Sequence, residues 1–294
     1  MLRQQLPISV ITIVRGRELH LYNQGLGLCQ SSVVPFEWII VGMDQEVGIE
    51  SLPSSESMKV RTDSVPSEQG CLPLAKARNR GAMLATQPIL LFLDVDCIPS
   101  EHLLTTMHDA TEEEDALWMG SIGYLDADFP KDAWTTTDLH SHAHSHPALP
   151  QLNTGERRLS ERYELFWSLC FSIRCDTFQH IGGFDTQFHG YGGEDTDFAF
   201  TAREKKIPFG HVGGYAYHQH HAVCRPPIQH VADLVVNARR FHQKWGNWPM
   251  TGWLNELHNA GYVQFHEDRD ILELVRTPSP AEIDAATICT PAGF

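Results

Sequence analysis

Short β-branched runs alternate with amphipathic or loop stretches through the first half of the chain, the pattern of a mostly parallel sheet with crossover helices. Ile8 to Val14 is the first predicted strand, Glu37 to Gly42 the second, Ser57 to Arg61 a weaker third, and Pro88 to Leu93 a fourth that reads as buried on both faces. From Leu72 to Gln87, small and apolar residues at Leu74, Ala77, Gly81, Leu84 and Ala85 recur at roughly helical spacing, which predicts a helix with Arg78 near its first turns. Beyond residue 125 the pattern loosens into a polar stretch rich in His and Thr, expected as a functional or mobile loop. Regular structure resumes near Tyr163, where an apolar strand leads into a short helix ended by Gly182-Gly183. Val231 to Trp245 predicts another helix, with Val231, Leu234, Val235, Ala238, Phe241 and Trp245 on one face and Gly246 as its stop. The tail after Arg276 reads as frayed.

A length of 294 residues with 42% hydrophobic content supports one large core. The expected division is a principal domain over 1–222, with halves at 1–125 and 126–222, a helical extension over 223–276 packed on it, and a flexible tail over 277–294. Lys plus Arg number 22 against 37 for Asp plus Glu, a net charge of -15 that would repel a phosphate backbone, so a nucleic acid partner is not expected. The most apolar segment, PILLFLDVDCI, carries two aspartates, so no transmembrane segment is expected and membrane association would be peripheral. The opening MLRQQLPISVITIV has too short an apolar run for a signal peptide, so a cytoplasmic location is expected. Seven scattered cysteines with no Cys-x-x-Cys pair (Cys29, Cys71, Cys97, Cys170, Cys175, Cys224 and Cys289) fit reduced thiols acting as small core residues.

Polar residues gather where the predicted strands end: Thr12 and Arg15, then Asp44, Asp63, and Asp94 with Asp96. In an open α/β sheet, ligands bind in the crevice at those carboxyl ends. Asp94-Val95-Asp96 follows a buried strand, where neighbouring carboxylates repel unless a cation separates them. Carboxylate oxygens suit Mn²⁺ or Mg²⁺, with positions left open for diphosphate oxygens that Arg78 could also reach. An Asp-x-Asp triplet also arises from capping, so this motif does not decide alone.

Gly190 to Asp197, GYGGEDTD, opens a helical run with three acids in its first turn. They either complement the helix dipole, at about 0.3–1 kcal/mol each, or include a general base whose neighbours orient its proton donor. Tyr217-His218-Gln219-His220-His221 is either a surface histidine cluster or the source of an imidazole that completes a metal shell, with His218 the choice for that ligand. His140, His142, His144 and His146 read as a solvated loop, and the aromatic segment Trp245 to Trp253 as packing.

In order and together, these motifs resemble the family 2 type glycosyltransferases of GT-A fold that end in a galactosyltransferase-like carboxyl-terminal region. The resemblance runs from about residue 7 to about residue 222, and its specific part is IGGFDTQFHGYGGEDTDFAFTAREKKIPFGHVGGYAYHQHH. It implies an α/β fold of Rossmann-like, mostly parallel type, with a C-terminal helical extension. It also implies that Asp96 binds the metal with His218 as trailing ligand, and that Asp195 is the base. Glu194, Gly193 and Tyr191 would face the acceptor. ISVITIVRGR, including Thr12 and Arg15, would line the uridine and diphosphate pocket with Asp44, Asp63, Arg78, Asp94 and Val95. Thr196, where related galactosyltransferases often carry another acid, and the His-rich stretch before residue 150 depart from the family on the acceptor side.

The implied activity is metal-dependent, inverting transfer of galactose, N-acetylhexosamine or a similar sugar from a nucleotide-sugar donor, a UDP-sugar being usual, to an acceptor hydroxyl. Two alternatives stand beside it. One is an inactive nucleotide- or sugar-binding module. The other is a haloacid dehalogenase-like phosphatase, which LFLDVDCI superficially resembles; the position of that motif after three earlier strands opposes it.

Overall fold

A computed structural model describes residues 4–67 and 70–288. Strand β1 (Gln5–Val14) is followed by helix α1 (Glu18–Gln30), β2 (Val34–Met43), β3 (Lys59–Val65), α2 (Leu74–Leu84) and β4 (Ile89–Leu93). A tight turn carrying Asp94-Val95-Asp96 leads to β5 (Cys97–Pro99), α3 (Leu103–Glu113) and β6 (Leu117–Leu125). The third strand lies later than the pattern predicts, since Ser57 and Met58 precede it, and α1, α3 and β6 were not predicted at all.

The second half contains α4 (Thr136–Ser141), β7 (Ala143–Ser145), β8 (Arg157–Leu159), β9 (Cys170–Arg174), α5 (Cys175–Ile181), α6 (Glu194–Glu204) and β10 (Phe209–His218). The carboxyl-terminal part adds β11 (Val223–Cys224), α7 (Val231–Trp245), α8 (Thr251–Asn259), the hairpin β12 (Val263–His266) and β13 (Ile271–Leu274), α9 (Pro280–Ala286) and β14 (Thr287–Ile288). Part of the stretch expected as a flexible tail thus has regular structure. Ser279 and Glu282 form a reciprocal capping box at the start of α9, and β14 pairs with β11. Cys289 and the rest of the tail lie outside the described residues.

One mixed sheet organises the molecule, in the order β3-β2-β1-β4-β9-β6-β10-β5, with β7 added on β6 and β8 on β10. Strands β3, β2, β1 and β4 are parallel, β9 runs antiparallel between β4 and β6, and β10 runs parallel to β6. Successive residues along a strand face opposite sides. Accordingly Val10 and Leu91 enter one apolar layer with Leu103, Met107 and Trp118, whereas Ile11 and Phe92 enter the other with Phe171, Phe198 and Phe241. The second layer is aromatic: Phe92 stacks on Phe171 at 4.5 Å and Phe184 on Phe198 at 4.4 Å. Each such ring contributes about 1.5–3 kcal/mol by burial. This rigid block presents the carboxyl ends of β1, β2 and β4, the Asp94–Asp96 turn and the end of β10 along one edge.

Candidate active site

The antiparallel pairing of β5 with β10 sets Cys97 opposite His218, which brings the end of β10 to the Asp-x-Asp turn. Gln219 fastens the junction: its backbone N–H donates to the Asp96 carbonyl at 2.6 Å and its side-chain amide to the His20 carbonyl at 3.0 Å. Nε2 of His218 and Nε2 of His221 each lie 3.6 Å from Asp96 Oδ2. One ligand atom from each of Asp96, His218 and His221 falls within 4.8 Å of the others, the sole such group of three among the described residues. One carboxylate oxygen and two imidazole nitrogens suit a borderline cation such as Mn²⁺ better than Mg²⁺, which prefers oxygen. Tyr124 packs 5.0 Å from His218 and steadies a ring whose Nδ1 finds no hydrogen-bond partner among the described residues. Burial by itself would raise the Asp96 carboxyl, but His218, His221 and Arg17 outweigh it and hold it well below the usual carboxylate range.

Arg78 ties this turn to the second acidic motif. Its guanidinium is buried over the Phe184 ring and reaches Glu194 Oε1 at 3.1 Å and Asp94 Oδ1 at 3.5 Å. The arginine read as a diphosphate ligand is therefore engaged by two carboxylates, and Glu194, read as facing the acceptor, is held by Arg78. Asp94 is raised to about 7 by burial and by Asp96, against the opposing pull of Arg78. Asp195 stands beside Glu194 in the first turn of α6, following Gly193 at φ 90°. Burial and the Glu194 charge raise its carboxyl to about 7, with Arg78 opposing. Asp197, the third acid of that turn, faces away: it accepts from Lys244 Nζ at 2.9 Å and from the Trp245 indole at 2.7 Å. The phenol of Tyr191 is also raised, by burial and by the charges of Glu194, Asp195, Asp94 and Asp96.

The remaining residues read from strand ends divide. Arg15 and Asp44 form a half-exposed ion pair at 3.5 Å beyond β1 and β2, and Gly16 N–H donates to Gln45 Oε1 at 2.6 Å, so these loops meet at the crevice. Val95 is buried within the turn. Thr12 lies inside β1 and not after it. It is fully buried, with its hydroxyl donating to Gln24 at 2.7 Å and accepting from the Trp38 indole at 3.0 Å, so it supports the crevice from below and is not open to a ligand. Asp63 lies within β3 and accepts from Arg80 Nε at 2.6 Å.

Most of the His-rich stretch is fastened down. His142 Nδ1 is 2.9 Å from Asp126, His140 Nδ1 is 2.9 Å from the Tyr217 hydroxyl, and Trp134 donates to Asn23 at 3.0 Å. Arg17 is a residue that motif reading did not single out: its Nη1 lies 3.0 Å from Asp96 Oδ2. His20, at a ring distance of 6.3 Å from His221, is another, lowered to about 4 chiefly by burial. Arg17 directly precedes α1 and His20 lies within it, and the apolar pattern of that helix is too weak to have marked the segment.

Residues 68–182 match the model of Glycosyl transferase family 2, and residues 153–222 that of the N-terminal domain of galactosyltransferase. The chain is 26% identical over 192 residues to validoxylamine A glucosyltransferases from Streptomyces hygroscopicus subsp. jinggangensis (strain 5008) and subsp. limoneus. The alignments cover 58% of this chain and 44% and 41% of those proteins, so the chain spans less than half the length of these relatives. Among solved structures, S. aureus TarS 1–349 is similar with a TM-score of 0.51 at 14% identity, covering 79% of this chain and 64% of that one. GalNAc-T7, solved with UDP, GalNAc and Mn²⁺, gives 0.50 at 14% identity, covering 74% and 44%.

Proposed function

The chain belongs to the family 2 type glycosyltransferases of GT-A fold, and on that premise we propose that it catalyses metal-dependent, inverting transfer of a hexose from a UDP-sugar to an acceptor hydroxyl. The observation that carries this reading is the convergence of Asp96, His218 and His221 beside an Arg78-linked pair of acidic motifs. A neighbour solved with UDP and Mn²⁺ supports the nucleotide and the ion. Relatives named validoxylamine A glucosyltransferases support glucose, beside galactose or an N-acetylhexosamine, as the sugar, and a glycan or other small molecule as the acceptor.

In this proposal Asp96, His218 and His221 hold Mn²⁺, which when bound neutralises charge on the departing nucleoside diphosphate. Arg15 and Asp44 border the donor's entry. The acceptor hydroxyl attacks the anomeric carbon as the bond from that carbon to the diphosphate oxygen breaks. Its proton passes to the Asp195 carboxylate. Glu194, held by Arg78, and Tyr191 flank the acceptor. The Glycosyl transferase family 2 match runs through LFLDVDCI, the segment on which a phosphatase reading rested, and favours sugar transfer in its place. A cytoplasmic location with at most peripheral membrane contact is part of the same proposal. Among the described residues no helix is long and apolar enough to cross a membrane.

Thermal stabilisation by UDP with and without Mn²⁺ tests the donor site. Ligand at 100 times its dissociation constant adds about 2.7 kcal/mol. The expected shift requires Mn²⁺ and disappears in Asp96→Ala and His218→Ala. A UDP shift that persists undiminished in both variants would remove the metal from the proposal.

A further inference from the structure

The loop that delivers Tyr191, Glu194 and Asp195 is gripped from outside the matched family segments, by α7. Asp233, Asn237, Arg240 and Lys244 recur at helical spacing and line one face of that helix. Asn237 is fully buried, and its Nδ2 donates to the carbonyls of His189 at 2.8 Å and Tyr191 at 3.3 Å. Asp233 Oδ2 accepts from the Tyr191 N–H at 3.3 Å. Gly190 is in the left-handed region at φ 71°, and a Cβ there would lie 2.0 Å from the same Asp233 oxygen. The carboxylate therefore sits directly against the loop backbone. Arg240 reaches Asp185 at 2.9 Å, while Lys244 and Trp245 hold Asp197, so this face follows the chain from 185 to 197. The Tyr191 ring itself stacks at 4.5 Å on His230, just before α7, and at 6.0 Å on Trp253 of α8.

We infer that Asp233 and Asn237 are positioning residues for sugar transfer, setting the path of residues 189–193 and thereby aiming Tyr191 and the Glu194-Asp195 pair at the acceptor. The inference rests on the proposed transfer activity. Three polar contacts from one helix to the backbone of a single three-residue stretch exceed what helix docking needs, because the apolar side of α7 already docks through Leu234, Ala238 and Phe241.

The test uses the full chain with Asn237→Leu, Asp233→Ala and Asp233→Asn. Leucine occupies similar space and removes both donated bonds, and no partner is lost at Asn237 Oδ1, which has none among the described residues. Asparagine at 233 keeps an oxygen for the Tyr191 N–H. Expected for Asn237→Leu and Asp233→Ala is a fall of about ten-fold or more in acceptor kcat/KM, since small displacements at a reacting centre carry large rate losses. UDP–Mn²⁺ affinity by calorimetry stays within about two-fold of wild type, because the donor side is untouched, and Asp233→Asn stays near wild-type activity. Amide exchange across 189–193 rises in the two disruptive variants and not in Asp233→Asn.

Unchanged acceptor kcat/KM and unchanged exchange in a folded Asn237→Leu protein would overturn the inference. If that variant does not fold, the half-buried Asp233 decides, and equal behaviour of Asp233→Ala and Asp233→Asn overturns it. A wild-type protein that transfers no sugar and binds no UDP with Mn²⁺ would defeat the functional proposal and, with it, the role in transfer. Altered exchange at 189–193 would then still separate a correct account of the loop from a wrong one.

Discussion

Asp195 keeps its proton to about 7 because burial and the neighbouring Glu194 charge disfavour ionisation more than Arg78 favours it. A base must be ionised to accept a proton, so transfer should rise with pH below that value and level off above it. A bound cation nearby favours the carboxylate, so the inflection in acceptor kcat/KM is expected at or somewhat below 7. The same shift has a sign for stability. The folded state retains a proton that the unfolded chain releases near its ordinary value of 3.8, so this group's contribution falls as pH rises from there through about 7. Asp195→Asn removes that cost while abolishing the base. It should lose nearly all turnover, retain UDP–Mn²⁺ binding, and melt about 2–4 °C higher than wild type at pH 8, a gain of roughly 1 kcal/mol. A variant with undiminished turnover would end the assignment. At this scale Asp96 and His218, which the fold brings together, and Asp195 could be named as candidates from sequence because each stands in a dense local motif. It misplaced Thr12 and left Arg17 unmarked, because one polar residue in a strand and one arginine in a loop do not reveal which way they face.

Helix α1 shows why some elements were not legible. Its buried positions are Leu21, Asn23, Gln24, Gly25, Gly27 and Leu28, so four of the six that should be apolar are polar or glycine. The glycines answer to close approach: a Cβ at Gly27 would lie 2.7 Å from Ile98, and one at Gly25 would lie 3.1 Å from Trp38. Gln24 answers to the turn. It accepts from Thr12 and donates to the carbonyls of Asp94 at 2.7 Å and Cys97 at 2.9 Å, holding the Asp-x-Asp backbone from beneath. By contrast α7 was predicted to its ends, because its apolar stripe is unbroken and Gly246 stops it in a left-handed conformation. Gln24→Leu would leave the Thr12 hydroxyl and two buried carbonyls without this partner, at about 1–3 kcal/mol for such a loss. The expected result is a lower urea midpoint together with Mn²⁺ affinity weakened about ten-fold. Unchanged midpoint and Mn²⁺ titration would mean that Gln24 does not support the turn.

The family resemblance placed a boundary at residue 222, where its motifs stop, with an extension expected to pack on the domain, and packing continues across that point. Phe241 of α7 belongs to the same aromatic layer as Phe92, Phe171 and Phe198, and Trp245 packs against it. A boundary of this kind is invisible in sequence because the shared layer forms from residues far apart in the chain, each unremarkable alone. The magnitudes favour one cooperative unit. Losing the Phe241 ring would cost about 3–5 kcal/mol, and the buried Val231, Leu234, Val235 and Ala238 go with it, against a total stability of about 5–15 kcal/mol for a typical domain. Lys244 and Trp245 would also leave Asp197 buried without partners, and the loop at 189–193 would lose its hold on α7. We therefore propose that the catalytic unit extends at least through Trp245, and that a 1–222 fragment neither melts cooperatively by circular dichroism nor gains stability from UDP with Mn²⁺. A fragment that did both would show the extension to be an accessory, since the sheet and its edge would then suffice to build the donor site.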